Sequence, residues 1–143
     1  MNVAKHGVGD RVKLYESDLF MELPATRYDL ILANPPYVPV ASLQELPAEY
    51  RAEPELGLAS GNDGLDACLG ILASAANYLA PRGILVCEVG ESETRLQYVL
   101  PSVPFTWLEF VNGGSGVFVL SRQELLAAAG AVATVIEERK NVL

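Results

Sequence analysis

Apolar residues recur with two different periods along this 143-residue chain. Residues 11–15, Arg-Val-Lys-Leu-Tyr, alternate polar and apolar side chains and predict a strand. Residues 28–33 and 84–89 are near-continuous apolar runs, the pattern of strands buried on both faces. Leu65, Leu69, Leu72, Ala76 and Leu79 fall at helical spacing, predicting a helix capped by Asp63 and stopped by Pro81, Arg82 and Gly83. Residues 91–100 predict a further helix, ended by Pro101. Two β-type runs, 105–110 and 117–120, flank Asn112 and Gly113, the strongest short signal for a hairpin turn. Ser121 and Glu124 have the spacing of a capping box and open an Ala-rich helix, whose part beyond residue 127 is expected to pack at the surface. At the other end, residues 2–7 read as the last turn of a helix: Lys5 and His6 suit its negative end, and Gly7 supplies a left-handed exit. Residues 38–63 show no period, and Pro39, Pro47 and Pro54 interrupt them; a short helix is expected over 42–50. A connection of roughly 25 residues is longer than usual and more often functional than idle. The order of elements gives an α/β sheet with an antiparallel hairpin at one edge.

Composition narrows the function classes. The length suits one domain with a single core, and 50% hydrophobic with 20% charged residues is globular. Ten Lys and Arg against 18 Asp and Glu leave a net charge of −8, which argues against a grip on a phosphate backbone; no direct nucleic-acid binding is expected. The same charge suits a basic protein partner. Cys68 and Cys87 form no CxxC and His6 is the single histidine, so no metal site is expected. A Ser-His-Asp or Cys-His mechanism would have to run through His6, which reads instead as a surface residue at a helix end. The longest apolar run, 125–136, is shorter than the roughly 17 residues of a membrane span. A soluble, cytoplasmic protein in a reducing compartment is expected.

Two glycine-rich stretches carry little chemistry. Gly113, Gly114 and Gly116 lack the following helix that a phosphate loop needs, and Gly57 and Gly61 lack its lysine and preceding strand. Asn34-Pro35-Pro36-Tyr37 is different, because it ends a buried strand, where open α/β sheets place ligands. Each proline removes a backbone donor and drives the residue before it toward extended geometry, so Asn34 and Pro35 present carbonyls that no helix claims. Asn34 adds a side-chain acceptor, and Tyr37 a flat face for a planar amide or base. An ordinary strand-terminating turn is the competing reading of the tetrapeptide alone.

The stretch 29–37, Asp-Leu-Ile-Leu-Ala-Asn-Pro-Pro-Tyr, resembles the signature of class I S-adenosylmethionine-dependent methyltransferases that methylate a planar nitrogen. Residues 49–64, Glu-Tyr-Arg-Ala-Glu-Pro-Glu-Leu-Gly-Leu-Ala-Ser-Gly-Asn-Asp-Gly, are similar to the protein-(glutamine-N5) methyltransferases rather than to the adenine-directed enzymes that share the tetrapeptide. Residues 103–110 with the following Asn-Gly-Gly most resemble the branch acting on the third protein of the large ribosomal subunit, with the release-factor branch its neighbour. The resemblance covers residues 3–128 or so.

It implies a partial Rossmann-like sheet, mostly parallel with a carboxy-terminal antiparallel hairpin and with the first two strands absent, the chain beginning just before the third. Residues 1–128 would be the carboxy-terminal part of the catalytic domain and 129–143 a helical tail. By position, the Asn34 side chain would hold the substrate amide, the Pro35 carbonyl would take its second N–H, and Pro36 and Tyr37 would shape the pocket. Glu53, with Pro54, would support the substrate side. Asp18 matches the acidic position that approaches the cofactor adenine, with Leu19 or Phe20 beside the ring and Asn34 bordering the cofactor. The glycine-rich cofactor loop and the acidic residue for the ribose have no counterpart here, so weak cofactor binding or none is expected, and self-association through an exposed strand edge follows as a possibility of the missing strands. The substrate implied is a ribosomal protein. A release-factor methyltransferase, a non-catalytic remnant that binds a ribosomal protein and an adenine-directed nucleic-acid methyltransferase are the alternatives, the last disfavoured by the charge.

Overall fold

A computed structural model describes residues 2–38, 60–61 and 63–141. Among these residues, four α-helices, α1 (Asn2–Lys5), α2 (Asp66–Tyr78), α3 (Glu93–Val99) and α4 (Arg122–Lys140), accompany four strands. The strands are β1 (Tyr28–Ala33), β2 (Leu79–Glu88), β3 (Thr106–Trp107) and β4 (Val117–Ser121), in the spatial order β1-β2-β4-β3. β1 and β2 are parallel, whereas β4 runs antiparallel to both β2 and β3. The result is the mixed α/β open sheet expected of part of a methyltransferase fold. The expected helix over 42–50, together with Glu53 and Pro54, lies outside the described residues.

Burial explains how the sheet is packed. Along β2, Leu85 and Cys87 are fully buried and alternate with the less buried Val86 and Glu88. Their partners Ile31 and Ala33 on β1, and Phe118 and Leu120 on β4, pack against the same core. α2 contributes Cys68, Leu69, Ile71, Leu72, Ala75 and Ala76, and α4 contributes Leu125, Ala128 and Val132. The apolar runs thus do not make strands buried on both faces: Leu30, Leu32 and Ile84, on the other face, are 48%, 71% and 37% exposed. The helices cover one side of the sheet, so continuous apolar sequence becomes alternating burial. The two free thiols sit in the core; a hydrogen bond from Cys68 to Cys87, together with burial, raises the Cys68 pKa well above that of an ordinary thiol.

Local signals were realised unevenly. The α1 exit is a Schellman arrangement, in which Gly7 at φ +61° donates to Ala4 and Val8 donates to Val3. Ser121 ends β4 and caps α4, exchanging bonds with Glu124; those bonds to Ser121 lower the Glu124 pKa. By contrast, the strand expected over 11–15 is irregular and exposed, because extended backbone needs a ladder partner and none of the described strands pairs with it. Pro81 follows the end of the expected helix, two residues past its Leu79 C-cap, but a strand takes over with no loop between. α2 ends at Tyr78, β2 begins at the next residue, and the triplet fills an irregularity where the pairing jumps from Tyr28↔Leu79 to Leu30↔Ile84. The 105–110 hairpin strand shrinks to two residues, and the turn closes from Gly113 N to Phe110 O at 3.1 Å, placing Val111 and Asn112 rather than Asn112 and Gly113 at its centre.

Asp63 also departs from its expected role. The residue before α2 is Leu65, which has no side-chain cap; the Ala67 N–H instead donates to the Ser60 hydroxyl at 2.8 Å. The Asp63 carboxylate, only 9% exposed, receives Arg95 Nε at 2.9 Å and both terminal nitrogens of Arg139, one of them at 2.8 Å. Arg139 also reaches Asp66 at the start of α2, at 2.7 Å. The Arg139 fork holds the Asp63 pKa down to about 2, from an ordinary 3.8, against the opposing effect of burial. That depression contributes about 2 kcal/mol of stability, fully present above about pH 4 and lost as the pH falls toward 2. Asp63→Asn is expected to lose about 2 kcal/mol at pH 7 in urea unfolding, with the difference from the parent chain closing between about pH 4 and pH 2.

Candidate functional site

The tetrapeptide leaves the end of β1 as an extended segment. Pro35 is buried, Pro36 and Tyr37 are half-buried, and Asn34 is exposed. Among the described residues, neither the Asn34 side chain nor the Pro35 carbonyl takes part in a hydrogen bond, which leaves both acceptors open. The prolines supply the backbone reason: Pro35 and Pro36 drive Asn34 and Pro35 toward extended geometry, so the chain does not curl back onto these carbonyls.

Tyr37 and Val38 are fixed from behind. The Ser92 hydroxyl donates to the Tyr37 carbonyl at 3.2 Å, and the Ser60 N–H donates to the Val38 carbonyl at 3.0 Å. The Tyr37 hydroxyl points to Glu88 at the end of β2, at 3.4 Å. Two glycines allow the approach. At Gly64, φ +79°, a Cβ would stand 2.1 Å from the Tyr37 carbonyl oxygen; at Gly90, φ +50°, it would meet the Tyr37 ring at 2.8 Å. Gly116 in turn abuts the Gly90 backbone, and its N–H donates to Glu93 at 3.0 Å. None of Gly64, Gly90, Ser60 and Ser92 was singled out from the sequence. Gly57 and Gly61 read as loop punctuation and 49–64 as part of the family resemblance, and neither reading gives Gly64 its contact with Tyr37.

The second group of candidate residues forms a separate, built loop. Ser17 accepts from Glu22 N at 2.9 Å and donates to Leu19 O at 3.1 Å, while Met21 N closes a turn onto Asp18 O. Leu19 is held at φ +50°, the one described non-glycine residue with a positive φ, and its side chain lies where a Cβ on Gly70 would be. That conformation costs about 1–2 kcal/mol for a residue with a Cβ, and such strain gathers at functional loops. Phe20 stacks on Tyr78 of α2, ring centres 4.8 Å apart and planes 17° from parallel, and the Tyr78 hydroxyl donates to Phe20 O at 3.0 Å. Asp18 is exposed. Asp18, Leu19 and Phe20 are thus anchored on α2, and Asn34 to Tyr37 on the ends of β1 and β2; among the described residues no hydrogen bond joins Asp18 to Asn34. Glu53 lies outside the described residues. Among those described, no cluster of His, Cys, Asp and Glu has a metal-binding arrangement, and no helix is long and apolar enough to cross a membrane.

The packing at Gly64 gives a direct expectation. Gly64→Ala places a methyl group against the Tyr37 carbonyl and strains a left-handed backbone, so it should destabilise the chain by about 1–3 kcal/mol. Ser92→Ala, which removes only one hydrogen bond, should cost about 1 kcal/mol. Urea unfolding compares the two, and equal costs would contradict the steric account.

Known proteins place this geometry in context. No family model matches the chain. It is 45% identical over 125 residues to a ribosomal protein uL3 glutamine methyltransferase of Francisella tularensis, covering 87% of this chain and 40% of that protein. Proteins of the same description from Neisseria meningitidis serogroups A and B are each 48% identical over 126 residues, covering 88% of this chain and 41% of theirs. The chain therefore spans about two fifths of the length of the curated relatives it matches. With close to half its residues identical over nearly nine-tenths of its length, and with the Asn-Pro-Pro-Tyr segment ending a sheet strand, the chain is similar to about two fifths of these ribosomal protein uL3 glutamine methyltransferases.

Proposed function

We propose that this chain forms the substrate side of a cytoplasmic methyltransferase that transfers the methyl group of S-adenosylmethionine to the side-chain nitrogen of a glutamine in ribosomal protein uL3. The observation that carries the reading is the pair of open acceptors, Asn34 and the Pro35 carbonyl, on a segment fixed from behind by Gly64, Gly90 and Ser92. The printed names of the relatives supply the substrate.

An amide nitrogen is a poor nucleophile because its lone pair is delocalised into the carbonyl. Asn34 Oδ1 and the Pro35 oxygen accept its two N–H bonds, raising electron density on nitrogen and aiming it. Alignment of this kind is worth roughly 7 kcal/mol or more of barrier. Tyr37 covers the amide plane, and its contact with Glu88 holds the ring. S-Adenosylmethionine, when bound, supplies the methyl group on a sulfonium. The S–CH3 bond would break as the N–C bond forms, leaving a neutral thioether; the displaced N–H proton would pass to water on the exposed Asn34 side, and the remaining N–H keeps one of the two acceptors.

The Asp18 loop fits one end of that cofactor: an exposed carboxylate beside a strained Leu19, on a loop that Phe20 ties to Tyr78. By the resemblance, these residues border the adenine end of the cofactor. Residues 1–128 serve as the carboxy-terminal part of the catalytic domain; the expected boundary with a tail falls inside α4, which continues unbroken to Lys140 and buries Val132 in the same core.

Two measurements test this reading. Calorimetry with S-adenosylmethionine should show binding weaker than micromolar for the chain alone; stoichiometric micromolar binding would contradict the partial cofactor site. Labelled methyl transfer to purified uL3 should occur when the chain is joined to an upstream segment with the missing cofactor loop, and Asn34→Ala should lower it by about 100-fold or more. Label on release factors but not on uL3 would move the substrate to the neighbouring branch.

A further inference from the structure

We propose that Arg139, near the end of α4, is a positioning residue for the segment from Asn34 to Val38, acting through Asp63. The proposal rests on the amide-pocket reading above for its functional meaning. Asp63 stands next to Gly64, whose backbone is pressed against the Tyr37 carbonyl, and three residues from Ser60, whose N–H holds the Val38 carbonyl. The Asp63 carboxylate is gripped by Arg139 through both oxygens and by Arg95 from α3. Its Oδ1 also accepts the Leu65 N–H at 3.3 Å. A planar guanidinium binding both oxygens fixes the orientation of the carboxylate as well as its place, which a single point charge does not.

The geometry makes a connected path. Arg139 sets the Asp63 side chain; Asp63 sets the backbone leading into Gly64; Gly64 and Ser60 set Tyr37 and Val38. Arg139 is 27% exposed, so the pair is shielded from much of the solvent screening that weakens surface ion pairs. The second arm, to Asp66, ends on a side chain 58% exposed and makes the weaker contact. The helical tail, which the sequence presents as a surface feature with no function, thereby acquires a part in holding the loop.

Site-resolved amide hydrogen exchange on the chain as it stands separates positioning from general stability. In Arg139→Ala, the Ser60 amide should accelerate at least ten times more than Leu69, whose amide bonds to Leu65 at the start of α2 and follows the overall loss of stability. Arg139→Lys should recover only part of the Ser60 protection, because the ammonium cannot span both oxygens. Asp63→Asn should reproduce the Arg139→Ala pattern and serves if that variant folds poorly. Asp66→Ala should leave Ser60 unchanged. A Ser60 amide unchanged in both Arg139→Ala and Asp63→Asn, or accelerated only by the same factor as Leu69, would overturn the proposal. Exchange is read without substrate or cofactor, so failure of methyl transfer with normal Ser60 behaviour would count against the assigned reaction and not against the clamp.

Discussion

Backbone crowding at Tyr37 governs much of what surrounds it. Its carbonyl is approached by Gly64 so closely that no side chain fits there, and its ring lies over Gly90 with the same restriction. Gly90 in turn is packed by Gly116, the last residue before β4. A row of residues without side chains therefore joins four parts of the chain: the end of β1, the entry to α2, the end of β2 and the base of the hairpin. Each glycine gives up conformational restriction in the unfolded chain, and the gain is a loop whose backbone is supported by backbone, which moves less than side-chain tips do.

That arrangement suits the chemistry proposed for it. An acceptor that must meet a particular N–H within tenths of an ångström is useful only if it is already in place when the amide arrives. Asn34 itself is exposed and free to turn, but its Cα is fixed by the buried Pro35 that follows and by the Ala33↔Cys87 pairing that precedes it. Among the described residues of the site, the Asn34 side chain is held by no hydrogen bond, while the Tyr37 and Val38 carbonyls are held by Ser92 and Ser60.

Sequence reading recovered what is encoded within a few residues. Gly7 and Ser121 with Glu124 declare themselves locally, because the groups that satisfy one another are neighbours in the chain. It failed where partners are distant. Arg139 and Asp63 are separated by more than half the sequence, and nothing near either residue signals the other. Residues 11–15 carry a strand's alternation but lack the neighbouring strand that would turn a pattern into a ladder, and the Asn112-Gly113 pair was drawn into a wider turn by the two-residue β3. The apolar runs were correctly strands, yet their two-sided burial was a property of the layers around them rather than of the runs.

The join between β4 and α4 has a mechanical meaning. Ser121 is at once the last residue of the strand and the cap of the helix, with no linker between them. The 19-residue helix is about 28 Å long, so the sheet acts as the mounting of a lever and Ser121 as its fulcrum. Sliding β4 by one residue against β2 would turn its side chains to the opposite face and carry the helix start with them, swinging the far tip, where Arg139 sits, away from its seat. Strand register on one side of the fold and the placement of a guanidinium on the other are therefore a single degree of freedom, and an inserted or deleted residue at this corner would be felt a full helix length away.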